Sequence, residues 1–219
     1  GSNHVRLPAA KMLGSRFLNL KKGSGHYCLI IGFESQRYVC RGTGPHAGQC
    51  LAMYSDIVCL IKNISNEGLR ASIKIRPYPN AGWDLEARFE DELGPGYVKN
   101  DRRLYDAFIG AKLIICTYPQ TTFSEAMLSG RPTLLLYKEL LWAIDDHFKP
   151  LLEILRSAKI VHDDPVSLSE HLDEIWSDPE FWWSSNEVLR ARQAFNDIAM
   201  SVPKDGIQTW VKFLKGDRY

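Results

Sequence analysis

The sequence predicts an α/β domain of the doubly wound kind, with a mainly parallel sheet and a helical C-terminal tail. Three observations carry that prediction. The strand candidates, residues 27–32, 113–117 and 133–136, are continuous apolar runs without the alternation of a half-exposed antiparallel strand. Helical periods stand between them, the pattern of a parallel sheet covered on both faces. Beyond Asp163-Asp164-Pro165 only helical periods follow.

Taken in order, residues 27–32 form the first strand, and residues 36–40 extend it or follow it as a second short one. Gly42, Gly44, Pro45 and Gly48 mark a loop, after which Leu51, Tyr54, Ile57, Val58 and Ile61 recur at a helical spacing over 47–64. A strand at 71–76 runs into a Pro77-Tyr78-Pro79 corner. The helix predicted at 83–93 carries Asp84 and Glu86 in its first turn, where the helix dipole favours acids. Gly94-Pro95-Gly96 interrupts the chain, Tyr97-Val98-Lys99 is a short strand, and Asp101 is placed to cap a helix through Leu104, Tyr105 and Phe108 to Gly110. The alternation then quickens: strand 113–117, helix 123–128 ended by Gly130, strand 133–136, helix 149–157 and short strand 159–161. Helices at 167–176, 186–198 and 205–214 complete the tail, with Phe181-Trp182-Trp183 as an anchor docking it on the sheet. This divides the chain into a leader at 1–26, whose Gly1-Ser2 reads as a cloning scar, a Rossmann-like α/β domain at 27–200 and a C-terminal helix at 201–219.

Composition narrows the function classes. The chain has 219 residues, 27 Lys plus Arg against 26 Asp plus Glu, so its net charge of +1 creates no broad field toward nucleic acid or an anionic membrane. Its apolar runs are strand-sized, far short of the ~20 residues of a transmembrane helix. The five cysteines, Cys28, Cys40, Cys50, Cys59 and Cys116, show no CxxC spacing and fit free thiols in a reducing cytoplasm. No GxGxxG, GxxxxGK[ST], HExxH or GxSxG pattern occurs, so a metal site and an esterase elbow are both disfavoured.

In a doubly wound sheet ligands bind beyond the carboxyl ends of the strands. Three predicted loops there carry chemistry. Thr117 to Glu125 places Thr121, Thr122 and free backbone amides at a helix start, an arrangement that holds a phosphate, with Glu125 one turn on to accept from sugar hydroxyls. Thr122-Phe-Ser-Glu125 also spells a capping box, in which both side chains only satisfy backbone amides. Arg76, at a strand end before Pro77-Tyr78-Pro79, offers a rigid fork for phosphate, or pairs with Asp84 or Glu86. The stretch from Tyr137 to Pro150 brings together Trp142, Asp145, Asp146, His147 and Lys149, with His147 a weak catalytic candidate.

The order R-x-Y-P (Arg76 to Pro79), G-W-D (Gly82 to Asp84), T-Y-x-x-T-T-F-x-E (Thr117 to Glu125), P-T (Pro132, Thr133) and K-P (Lys149, Pro150) resembles a bacterial family of surface-polysaccharide transferases found among O-antigen genes. His162-Asp163, Glu174 to Asp178 and Trp182-Trp183 extend the likeness, which covers residues 37–214. More remotely the chain resembles the C-terminal donor-binding domain of GT-B glycosyltransferases, a Rossmann-like half. There a T/S-x-x-E-A segment followed by G-x-P, here Thr122, Glu125, Ala126, Gly130 and Pro132, holds the nucleotide sugar. Bacterial sialyltransferases and Kdo transferases of that type carry K-x-H-P and a serine doublet around the phosphate of a CMP-sugar. Arg76-x-Tyr78-Pro79 and Thr121-Thr122 are similar, with arginine for lysine and tyrosine for histidine. The resemblance implies a donor-binding domain for a CMP-sugar or a UDP-sugar, without a metal cofactor, whose binding residues are Arg76, Tyr78, Thr121, Thr122, Glu125 and Lys149. It implies a glycan acceptor, and an acceptor domain or partner subunit on the facing side. The alternatives are a non-catalytic scaffold docking a partner through Trp182, Trp183 or Trp210, and an epimerase-like domain.

Overall fold

In the computed structural model, residues 7–13, 20, 25–33, 46–77, 82–101, 103–200, 203 and 205–216 are described. Five strands, β1 (Tyr27–Ile31), β2 (Ile73–Arg76), β3 (Ala111–Cys116), β4 (Thr133–Leu136) and β5 (Val161–His162), form one sheet in the order β2-β1-β3-β4-β5. Every pairing is parallel. Val98 adds an isolated parallel bridge to Ile75, so the predicted short strand at 97–99 extends the sheet by one residue beyond β2. The sheet thus grows to one side of β1 and then, from β3, to the other, which makes the β1/β3 junction its topological switch point.

Alternate residues of β1 feed opposite faces. Cys28 and Ile30 join the core beneath α1 (Ala47–Asn63), α2 (Glu67–Ser72), α3 (Leu85–Leu93) and α7 (Pro165–Ile175). Tyr27, Leu29 and Ile31 join the core beneath α4 (Leu104–Gly110), α5 (Thr121–Leu128), α6 (Lys149–Ser157) and α9 (Asn186–Phe195). All five β1 residues are buried, which is why the strand reads as a continuous apolar run. Gly25, just before β1, has no room for a side chain: a Cβ there would lie 2.0 Å from the Ala111 carbonyl oxygen.

The tail crosses back over the sheet. α7 packs on α1, and the short helix α8 (Pro179–Trp183) seats Trp183, 1% exposed, in the core on the opposite face. The Trp183 indole donates to the Gly130 carbonyl at 3.0 Å, and the Arg192 guanidinium stacks 4.3 Å from its ring. The Phe181-Trp182-Trp183 run is therefore the anchor the sequence predicts, with only Phe181 left outside. A π-helical turn at Asn196–Met200 continues α9, so the predicted helix 186–198 is present and runs on to Met200, and α10 (Gly206–Lys215) is the last described element.

Four local expectations are corrected. Asp101 pairs with Lys99 at 3.1 Å, and α4 begins after Arg103 without a side-chain cap. Lys159 takes a left-handed φ of 55° and Ile160 bonds back to Leu155, so the last strand starts at Val161 and not at residue 159. Residues 71 and 72 belong to α2, whose Asn66 N-cap accepts from the Leu69 amide. The helix predicted from residue 83 begins at Leu85, because Asp84 adopts a left-handed φ of 50°. The second strand at 36–40 and the cysteine Cys40 lie outside the described residues.

Candidate active site

The carboxyl ends of the strands set the frame. Ile31 pairs with Arg76 on one side and with Cys116 on the other, so the ends of β2 and β3 stand about 10 Å apart across β1. The Thr117 hydroxyl donates to the Ile31 carbonyl at 2.9 Å and ties the two halves of the sheet together at the switch point. Above this junction Phe33, Tyr118 and Trp142 pack as an aromatic cluster, with ring centroids 4.3 Å apart for Tyr118–Trp142 and 5.1 Å for Phe33–Trp142. Trp142 is thus a packing residue, held further by the Tyr137 hydroxyl on its carbonyl. The cluster plugs the centre of the edge, and open space is left to one side of it.

That space lies at the start of α5. Gln120 is its N-cap and makes no side-chain cap bond. Thr121 and Thr122 are therefore the first two helical residues, and the capping box of Thr122 with Glu125 does not form. Helix geometry leaves the amides of Thr121, Thr122 and Phe123 without internal partners, while Ser124 already donates to the Gln120 carbonyl. A groove of about 550 Å³ opens beside these amides, lined by Gln120, Thr121 and Ser124 on one side and by Lys11, Met12 and Met200 on the other. Its volume falls within the range of small-molecule sites.

Glu125 follows one turn later, half-buried. Burial raises its pKa, and the charge of Lys11 opposes that rise. It accepts no hydrogen bond among the described residues, which leaves its oxygens available.

Arg76 ends β2, half-buried, with its Nε enclosed and unbonded. No carboxylate pairs with it among the described residues, so the ion pair with Asp84 or Glu86 is absent. A buried guanidinium nitrogen without a partner is costly unless something else satisfies it. Tyr78 lies outside the described residues.

The third predicted loop is at the same edge but turned outward. His147 is exposed, its Nδ1 2.7 Å from Asp145, and hydrogen bonds from the His147 backbone and ring hold the Asp145 pKa down. Lys149, first residue of α6, pairs with Asp146 at 2.7 Å, which raises its pKa. The fold brings Thr121, Thr122 and Glu125 together on α5, with Arg76 two strands away and His147 and Lys149 at the outer rim. Lys11 and Thr117 are additions. Thr117 stood in the predicted loop with no distinct role, and nothing local in 7–13 signals that Lys11 reaches the groove.

Among the described residues no group of three His, Cys, Asp or Glu side chains is placed to hold a metal. The four described cysteines are thiols outside any disulfide, and Cys28, Cys50 and Cys116 are buried. No described helix is long and apolar enough to cross a membrane.

Comparison with curated proteins and with solved structures finds no match. A family model does match, over residues 1–214, nearly the whole chain. By that match the chain belongs to the LIC12162 family transferases.

Proposed function

We propose that this transferase is a glycosyltransferase domain of GT-B type that binds a nucleotide-activated sugar, a CMP-sugar in preference to a UDP-sugar, for transfer to a surface-glycan acceptor such as O-antigen. The observation that carries this reading is the groove of about 550 Å³ at the carboxyl edge of a parallel sheet, lined at the start of α5 by Gln120, Thr121 and Ser124, where no side chain caps the helix. Unpaired amides and the positive end of the helix dipole form an anion site. Thr121 and Thr122 hold the phosphate there, and Glu125 accepts from ribose hydroxyls. Arg76 supplies a charge-assisted donor to the phosphate from β2.

In the transfer the bond between the anomeric carbon and the phosphate oxygen breaks, the acceptor hydroxyl oxygen bonds to that carbon, and the hydroxyl proton passes to a base on the facing domain. Negative charge gathers on the departing nucleotide. The α5 amides and Arg76 stabilise it without a metal, by fixed dipoles and a cation, and Lys149 joins them only by leaving Asp146 at the rim. The acceptor enters from a facing domain or partner subunit, and the reaction takes place in the cytoplasm. His147, exposed beside Asp145 at the rim, is the candidate for a catalytic role.

Calorimetric titration of the chain with CMP, CDP, UDP and GDP tests this, alongside Arg76→Ala and Glu125→Ala. CMP or UDP binding that weakens in both variants, with the fold intact, supports the reading. Wild-type affinity in both variants, or no binding of any nucleotide, would sink it.

A further inference from the structure

The N-terminal turn and the C-terminal helix are far apart in sequence but locked together in space. The Trp210 indole of α10 donates to the Pro8 carbonyl at 2.9 Å, and the Ala9 amide donates to the Met200 carbonyl at 3.2 Å. A Cβ added at Gly206 would lie 2.3 Å from the Leu13 side chain, so α10 lies closely against the turn at that point. On the inner side Met12 is buried in the core, and Leu20 donates to the Ser129 carbonyl just past the end of α5 at 3.0 Å. The single turn Ala10–Met12 is thereby fixed above α5 from two directions.

That turn is one side of the groove, and Lys11 is its charged residue. Among the described residues Lys11 makes no ion pair or hydrogen bond. Exposed at the groove's rim, it is close enough for its charge to act on the Glu125 carboxyl. A phosphate in the groove would meet backbone N–H groups from one wall and an uncommitted ammonium from the other.

We infer that the two ends of the chain together build the outer wall of the groove and that Lys11 is the residue through which this wall binds the phosphate of a nucleotide. The inference rests on the nucleotide reading above and adds a ligand contact that comes from outside the sheet domain. Nucleotide and bare nucleoside should therefore respond differently to loss of Lys11.

The test is calorimetry of the full chain with CMP and UDP and with cytidine and uridine, for wild type, Lys11→Ala and Lys11→Arg. Lys11→Ala is expected to weaken nucleotide binding about tenfold, the size of one hydrogen bond to a charged group, and to leave nucleoside binding unchanged. Lys11→Arg should restore most of the nucleotide affinity, and the urea midpoint should match wild type in both, since the side chain is exposed. Wild-type nucleotide affinity in Lys11→Ala would overturn the inference alone. An equal loss of nucleotide and nucleoside affinity would also overturn it, by making the effect structural. Absence of nucleotide binding in the wild type would overturn the nucleotide reading and this inference with it.

Discussion

Acid should destabilise this protein through one buried pair of histidines. His162 of β5 and His171 of α7 face each other, with His162 Nε2 3.0 Å from His171 Nδ1 and equally 3.0 Å from the Lys159 carbonyl. A carbonyl only accepts, so His162 Nε2 carries the proton, and its Nδ1 accepts from the Ser167 hydroxyl at 3.2 Å. His171 Nδ1 is then an acceptor, its ring set edge-on to Trp182 at 5.0 Å. Protonating His171 would set its Nδ1–H against the Nε2–H of His162, so the network requires a neutral His171. Burial lowers both pKa values, and for His171 burial with the charges of His162 and Lys159 brings it from 6.5 to about 3. Asp163 and Asp164 act the other way on His162 without reversing its direction.

The unfolded chain takes up this proton below its ordinary pKa of 6.5 and the folded chain resists it, so stability is full above that pH and is lost as pH falls toward 3. At pH 5 the interval of 1.5 units below 6.5 corresponds to about 2 kcal/mol at 1.36 kcal/mol per unit, reduced to about 1–2 kcal/mol by partial solvent screening. Urea unfolding at pH 7 and pH 5 measures this, with His171→Gln as the comparison, because its amide oxygen can accept from His162 but does not titrate. The wild type should lose about 1–2 kcal/mol more than the variant over that interval. Equal losses in the two proteins would refute the reasoning.

Trp183→Ala should cost about 3–5 kcal/mol, since it empties a site 1% exposed and strips the Gly130 carbonyl of its donor; urea unfolding reads it directly. Gly25→Ala should destabilise by about 1–3 kcal/mol, because the Cβ 2.0 Å from the Ala111 carbonyl oxygen forces backbone to move; a near-neutral melting temperature would contradict this. Thr117→Val should cost about 1–2 kcal/mol by leaving the Ile31 carbonyl without its donor, seen as a lower urea midpoint at unchanged slope. Thr121→Pro should keep α5, because proline suits the first helical position, yet weaken nucleotide binding by removing one amide and one hydroxyl from the groove, measured by calorimetry.

The parts of the fold that were legible in the sequence are those with local causes. β3 and β4 are covered on both faces, so their apolar runs stand out, and Gly130, at a φ of 79°, marks the end of α5 as its position suggests. α2 spans only six residues, too few to show a helical period, although its Asn66 cap is visible. α8 is five residues long, and its aromatic run advertises an anchor more plainly than a helix. The start of β5 depends on Lys159 adopting a conformation that a lysine seldom takes, which no pattern announces.

The candidate site divides in the same way. Thr121, Thr122 and Glu125 are close in sequence, so a strand followed by hydroxyls and a helix exposes them to inspection. Whether Thr122 capped the helix turned on a two-residue shift of its start, decided by the course of the β3–α5 loop. Arg76 was visible as a strand-end arginine, but its lack of a carboxylate partner is a tertiary fact. Lys11 reaches the groove through the Pro8–Trp210 and Ala9–Met200 contacts, each about 190 residues or more apart in sequence, and separations of that size leave no local trace.

The central claim is that the first turn of α5 binds the phosphate of a nucleotide. Amide-resolved NMR titration of the chain with CMP and with UDP tests it at the groups named. The account predicts saturable shifts of the Thr121, Thr122 and Phe123 amide signals, with Glu125→Ala weakening the midpoint. Saturable shifts confined to other parts of the sheet edge, with these three amides unmoved, would contradict it.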